Sequence, residues 1–395
     1  MNERFLFSDE SASYRAPHQP KQGDAVTIRF QTHRDDAARV RVTLIHQLQR
    51  MALTLLEYVG ELAMFSVRIP CVTGNYNYYF EIEELSDGKK LYYNKMGVCE
   101  TPDLSDCFTI RTDYHVPEWL PGAVMYQIFT DRFCNGDPSN DVLDREYYYL
   151  RHPSVRVSDW SAPPEERDVW RFYGGDLQGI WNKLDYLQNL GVQVIYMNPI
   201  FVSPSNHKYD GQDYDHIDPH LTRIARDAGG LVPEGETDNA HADRYRVRTT
   251  DPDNLEASDR FFARFVKEVH RRGMRIILDG VFNHCGSFHK WMDREGLYLQ
   301  SGQRDEEKGA WHTRRSQYHR YFHFTGEKNY EAWWDQETLP KLNYEGSRRL
   351  QREILRIAAK WVSKPYCVDG WRLDVAADLG HSTAFNHEFW KEFRR

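Results

Sequence analysis

From residue 124 onward the chain alternates short apolar runs with helical periods. Val124-Met-Tyr-Gln-Ile-Phe129 reads as a buried strand. Ile180–Leu190 reads as a helix with Ile180, Leu184, Leu187 and Leu190 on one side, ended by Gly191. Val192-Gln-Val-Ile-Tyr196 is the next strand. Ser258–Arg272 is a second helix with Phe261, Phe262, Phe265, Val266 and Val269 on its apolar face. Ser258 or Asp259 suits its N-cap, and Gly273 its C-terminal stop. Met274–Leu278 is a third strand, residues 347–363 a third helix built on Leu350, Ile354, Ile357, Ala358 and Trp361, and Cys367–Leu373 a fourth strand. Strands joined by crossover helices demand a parallel sheet. An open sheet and a closed barrel share this local pattern. No Gly-rich nucleotide fingerprint follows the first strand, which runs into Thr130-Asp-Arg-Phe-Cys-Asn-Gly-Asp137, so a dinucleotide fold is not expected.

The chain before this region has a different period. Ala25–Phe30, Val40–Ile45, Met64–Ile69, Tyr76–Ile82 and Lys90–Tyr93 are strand-like, and Asp87-Gly88 marks a hairpin. Residues 1–112 are therefore expected to form an all-β sandwich, 113–122 a linker with Pro117 and Pro121, and 123–395 a (β/α) unit. The stretch 284–344, rich in Trp, His and Tyr, is too long for a structureless loop and is expected to fold as an inserted subdomain.

The formal net charge of −8 offers no electropositive footprint, which excludes nucleic acid as the expected partner. No apolar run approaches signal or membrane-spanning length, so neither a secreted nor a membrane form is expected. Six cysteines without CxxC or zinc spacing suit a reducing cytoplasm. Aromatics make up 14% of the chain, which fits either sugar-stacking faces or an ordinary core with many Tyr.

Chemistry gathers where the strands end. Arg372 and Asp374, two apart at the end of the fourth strand, share a face. There a guanidinium can hold a carboxylate ionised for attack, or form a structural ion pair. Asp279, Asn283 and His284 follow the third strand as groups for sugar hydroxyls or as a satisfied polar cluster. His207-Lys-Tyr-Asp-Gly-Gln-Asp-Tyr214 follows the second, with Tyr209 able to stack on a pyranose ring and Asp210 and Asp213 able to brace the loop. The oxygen-rich loop holding Asn135, Asp137, Asn140 and Asp141, with Gly174-Gly175-Asp176, reads either as a turn or as a calcium site.

Taken in order, YQIFTDRFCNGDPSND, GGDLQGI, NPIF, HKYDGQDY, DGVFNH, LPKLN and GWRLDVAAD resemble glycoside hydrolase family 13, the α-amylase family. The likeness is greatest to its neopullulanase, cyclomaltodextrinase and maltogenic amylase branch, and covers about residues 20–395. The resemblance implies a (β/α)8 TIM barrel, about the first half of it present, with an inserted subdomain and a preceding immunoglobulin-like, starch-binding-like sandwich. It implies retaining hydrolysis of α-1,4-glucosidic bonds in maltodextrins, cyclodextrins or pullulan. Asp374 matches the nucleophile and Arg372 its neighbouring arginine; Tyr209 and His284 match subsite residues, and Asp279 the supporting carboxylate. Asn135, Asp137, Asn140, Asp141, Gly174 and Asp176 match a structural calcium site. No organic cofactor is implied, and a homodimer through the N-terminal module is.

Two departures stand out. Only 21 residues follow Asp374, so no position matches the family's acid/base Glu or its later His-Asp pair. Glu388 sits in a helix whose Phe385, Phe389 and Phe393 form a packing face, and it is not assigned as the acid. This chain alone is therefore expected to hydrolyse negligibly, and a non-catalytic glucan-binding protein, or a disrupted gene's product, is the alternative reading. Asp378 stands where the branch often has Glu, and Leu339 where it has Met.

Overall fold

The computed structural model describes residues 1–113 and 115–395. Tyr114, within the linker expected at 113–122, lies outside the described residues. The chain forms two compact units, Met1–Pro121 and Gly122–Arg395.

The first unit is an antiparallel β-sandwich. Its strands are β1 (Arg15–Ala16), β2 (Val26–His33), β3 (Val40–His46), β4 (Gln49–Ala52), β5 (Thr54–Val59), β6 (Leu62–Ile69), β7 (Asn75–Glu84), β8 (Lys90–Asn94), β9 (Gly97–Cys99) and β10 (Phe108–Arg111). One sheet runs β1-β2-β6-β5; the other runs β4-β3-β7-β8-β9, with β10 also on β7. Alternation decides the faces: every second residue of β2 is buried, and Val26, Ile28 and Phe30 meet Tyr78, Phe80 and Ile82 in the core. β4 and β5 have no counterpart in the sequence reading, because their residues are largely exposed and carry no inward alternation.

The second unit is built on a parallel sheet. Besides three two-stranded ribbons in its loops, its main elements are β11 (Met125–Ile128), α1 (Leu177–Asn182), α2 (Leu184–Asn189), β12 (Val194–Met197), α3 (Asp243–Thr250), α4 (Pro252–Arg271), β13 (Arg275–Gly280), α5 (Arg348–Val362), β14 (Gly370–Leu373) and α6 (Thr383–Arg394). The sheet order β11-β12-β13-β14 follows chain order, and every pairing is parallel. This is the arrangement of part of a (β/α)8 barrel. Ile195, Met197, Ile276 and Leu278 pack outward on Leu184 and Leu187 of α2, Phe262 and Phe265 of α4, and Ile357 and Trp361 of α5. The opposite face of the strands carries Tyr196 and Arg372, and the site is built there.

Two helices differ from the sequence reading. The run expected as one helix over Ile180–Leu190 breaks at Lys183, whose N–H is shared between the Gly179 and Ile180 carbonyls, and Leu190 ends 55% exposed instead of on the apolar face. The helix expected from Ser258 starts six residues earlier, with Asp251 capping Asp253 N–H at 2.9 Å and Pro252 in the first turn. Ser258 and Asp259 are not caps. Ser258 donates back to the Asn254 carbonyl, while Asp259 accepts from the Ile217 N–H and from Tyr366.

Residues 285–342 form single helical turns and isolated bridges, and their apolar side chains join the core of the sheet. Trp291, Met292, Ala310, Tyr321 and Phe322 belong to the same buried cluster as Ile195 and Leu278. Among the described residues no helix is long and apolar enough to cross a membrane.

Candidate active site

Asp279 and Arg372 are direct partners in the β13–β14 register, at the C-terminal ends of both strands. Arg372 Nη1 reaches Asp279 Oδ1 at 3.0 Å and Oδ2 at 3.2 Å, and Asp374 Oδ1 at 2.6 Å. One guanidinium thus holds two carboxylates. Asp279 is buried, 1% exposed, whereas the Asp374 side chain keeps 14% of its surface open. Burial pushes the Asp279 carboxyl up, against hydrogen bonds from Tyr196 and the charge of Arg372, which pull it down. Burial pulls Arg372 down, but the charge and hydrogen bonds of Asp279, with the hydrogen bond to Asp374, together outweigh it and the guanidinium stays firmly protonated.

The ladder continues one residue past β14, where Asp374 N–H donates to the Gly280 carbonyl at 3.0 Å. The chain then turns sharply at Val375, with φ +40° and ψ +41°. A β-branched residue rarely occupies this left-handed region, so backbone strain sits beside the partly open Asp374 carboxylate.

Tyr209 and His284 come to the same strand ends. The Tyr209 hydroxyl donates to Asp279 Oδ2 at 2.9 Å, and burial with the Asp279 charge pushes its phenol up to about 12. His284 Nε2 lies 3.2 Å from the Tyr209 carbonyl, and its ring stacks on Trp333 at 4.9 Å and 8°. Burial lowers the His284 imidazole to about 4, so it is neutral. The two loops are locked together at Gly286: its N–H donates to the Gly211 carbonyl at 2.8 Å, and a Cβ there would lie 2.3 Å from the Asp210 carbonyl oxygen. Asp210 accepts from Ser203 and Ser205, and Asp213 from Lys290, so both brace the loop.

Two residues at this site escaped the sequence reading. Tyr196 donates to Asp279 Oδ2 at 2.5 Å. Its signal was its place near the end of the second apolar strand. Trp333 stacks on His284 and donates Nε1 to Asp378 Oδ2 at 3.2 Å. Beside it lies a cleft of about 530 Å3 lined by Glu331, Trp333, Trp334, Lys341, Asp378 and His381. Glu388 is exposed and paired with Lys391, on the helix whose Phe389 is buried.

The calcium expectation is overturned. Among the described residues there is no group of three or more His, Cys, Asp or Glu placed to hold a metal ion. The oxygens are spent on the protein's own donors. Asp176 caps α1 through Gly179 N–H at 2.6 Å and also accepts from Gly136 N–H, Asp137 N–H and Asn140 Nδ2. Asp141 takes Asn135 Nδ2 at 2.8 Å and Arg156 at 2.5 Å, while Asp137 takes Ser139 and Arg223. Gly174 lets Asp141 and Asn135 pack onto the backbone, closing the space between them. The unpaired buried acceptors there, the amide oxygens of Asn135 and Asn140, fall short of the six to eight oxygens a calcium ion takes.

The sequence profile of the alpha amylase catalytic domain matches residues 127–225 and 257–394. The chain is 30% identical over 411 residues to neopullulanase 2 of Thermoactinomyces vulgaris, covering 99% of this chain and 57% of that protein. It is 33% identical over 322 residues to a cyclomaltodextrinase of Geobacillus thermopakistaniensis (strain MAS1), covering 78% of this chain and 43% of that protein. The solved type III pullulan hydrolase from Thermococcus kodakarensis superposes with a TM-score of 0.58 at 25% identity, over 99% of this chain and 59% of that one. The chain thus spans about half the length of these relatives.

Proposed function

This chain belongs to the α-amylase family, glycoside hydrolase family 13, closely related to its neopullulanases, cyclomaltodextrinases and maltogenic amylases, and from that premise we propose that it carries the nucleophile of a retaining α-glucan hydrolase. The substrates are α-1,4-linked glucans: maltodextrins, cyclodextrins or pullulan. The carrying observation is Arg372 shared between buried Asp279 and more open Asp374. Asp374 attacks the anomeric carbon and forms a glycosyl ester, while the bond to the leaving oxygen breaks and an acid protonates that oxygen. Water then releases the ester with net retention. The acid sits about 5–5.5 Å from the nucleophile in such enzymes. No residue of this chain matches it. Arg372 orients Asp374 through its 2.6 Å hydrogen bond, Asp279 holds Arg372, and Tyr209 and His284 face the sugar bound on the non-reducing side.

The finer parts of this reading are a reducing cytoplasm, which the six free thiols suit, and a homodimer through residues 1–112. Scattering that returns only a monomer would remove the dimer. The test of function uses the natural full-length gene product. Incubation with a fluorinated α-glucosyl fluoride, which slows ester hydrolysis, should place one glycosyl adduct on Asp374 by peptide mass spectrometry. An enzyme that turns over maltotriose with the adduct elsewhere overturns the assignment. Glucan binding without turnover would return the non-catalytic alternative.

A further inference from the structure

Tyr196, Asp279 and Arg372 lie on three adjacent strands, β12, β13 and β14, and their side chains touch in sequence across the sheet. Strand alternation sends Ile195 and Met197 to the helix side, so Tyr196 projects to the face that carries the site. It is 9% exposed, and its hydroxyl donates to Asp279 Oδ2 at 2.5 Å, the same oxygen that takes Tyr209 at 2.9 Å. Resting on the reading of Asp374 as the nucleophile, we propose that Tyr196 is a positioning residue: its phenol fixes the Asp279 carboxylate, and Asp279 in turn aims Arg372 at Asp374.

The chemistry favours a phenol in this place. Asp279 is buried, and burial disfavours its charge. A neutral donor offsets that cost without competing for the charge that Arg372 needs. A lysine there would pair with Asp279 and weaken its hold on the guanidinium. Burial and the nearby carboxylate push the Tyr196 phenol far up, so it stays a donor through the working pH range. The titratable groups facing Asp279 are Tyr196 from β12, Tyr209 from the following loop and Arg372 from β14, with Asp374 beyond the guanidinium. Losing the Tyr196 donor makes Asp279 easier to protonate. Arg372 then loses its fixed partner at a higher pH.

The experiment uses the natural full-length enzyme, two variants at position 196, and Asp279→Asn with and without Tyr196→Phe. With Tyr196→Phe, the acid limb of kcat/KM for maltotriose should move up by about one pH unit, and kcat should fall roughly tenfold. With 3-fluorotyrosine at position 196, a stronger donor of nearly the same shape, the limb should move down. Tyr196→Phe should add little in an Asp279→Asn background, because it acts through Asp279. Acid limbs superimposable on the parent in both variants, or an equal Tyr196→Phe effect in the Asp279→Asn background, would overturn the proposal. If Tyr196→Phe does not fold, the fluorotyrosine enzyme decides alone. Parent enzyme that hydrolyses maltotriose while labelling a residue other than Asp374 would instead overturn the functional reading, which separates the two failures.

Discussion

Arg372 and Asp279 stand opposite one another in the β13–β14 register, and a single guanidinium nitrogen spans both oxygens of Asp279 while reaching Asp374 at 2.6 Å. A planar, always-charged group suits that geometry; a lysine ammonium is a point charge on a flexible stem. Arg372→Lys should therefore lower kcat/KM for maltotriose by about 10²–10³-fold in the full-length enzyme, with a fold unchanged by circular dichroism. A loss below about tenfold would mean that Arg372 contributes charge alone.

The buried His284 predicts how stability follows pH. An unfolded imidazole takes its proton near pH 6.5, whereas burial delays His284 to about 4. The unfolded chain binds more protons between these values, so stability rises with pH there. The contribution is present above about 6.5 and lost as pH falls through about 4. His289, lowered by burial to about 3, acts in the same sense. His284→Asn should make the slope of urea-unfolding stability shallower by up to about 1.4 kcal/mol per pH unit between pH 4.5 and 6.5. Parallel slopes for parent and variant would sink this account.

Gly286→Ala places a methyl group 2.3 Å from a backbone oxygen, that of Asp210, which cannot swing aside as a side chain would. The Tyr209 and His284 loops must separate. We expect a loss of about 1–3 kcal/mol in stability together with reduced kcat. An unchanged thermal midpoint would show that the contact relaxes freely.

Val375→Gly relieves a left-handed β-branched residue, worth about 1–3 kcal/mol, at an entropic cost of about 1 kcal/mol. Stability in urea should hold or rise, while kcat falls because the peptide after Asp374 is freed. A destabilisation above about 2 kcal/mol would mean that packing of the Val375 side chain outweighs the strain.

Much of this architecture was legible because its signals are local. The apolar periods of α4 and α5, the short runs of β11 to β14 and the ordered motifs at their ends fall within a few residues of one another. What escaped was long-range or ambiguous. The start of α4 is polar, so periodicity missed it, although Asp251-Pro252 carried the start signal. The oxygen-rich loop around Asn135–Asp141 has the composition of a cation site and also of a helix-capping network, and only the donors around Asp176 separate the two. Tyr196 and Trp333 meet Asp279 and His284 through strand pairing and chain return, which no window of sequence displays.

The core that Trp291 and Tyr321 share with Ile195 and Leu278 has a consequence for how such a chain can change over time. The segment from 285 to 342 is not a detachable cassette. Exchanging it whole between related enzymes would leave cavities under the sheet, because its large side chains fill the space that the strands and helices leave. Variation that alters the cleft without unsettling the scaffold falls to exposed lining positions such as Trp334 and Asp378. New specificities are then reached by small edits at these places, and an engineered graft succeeds only if it carries its buried aromatic residues along with it.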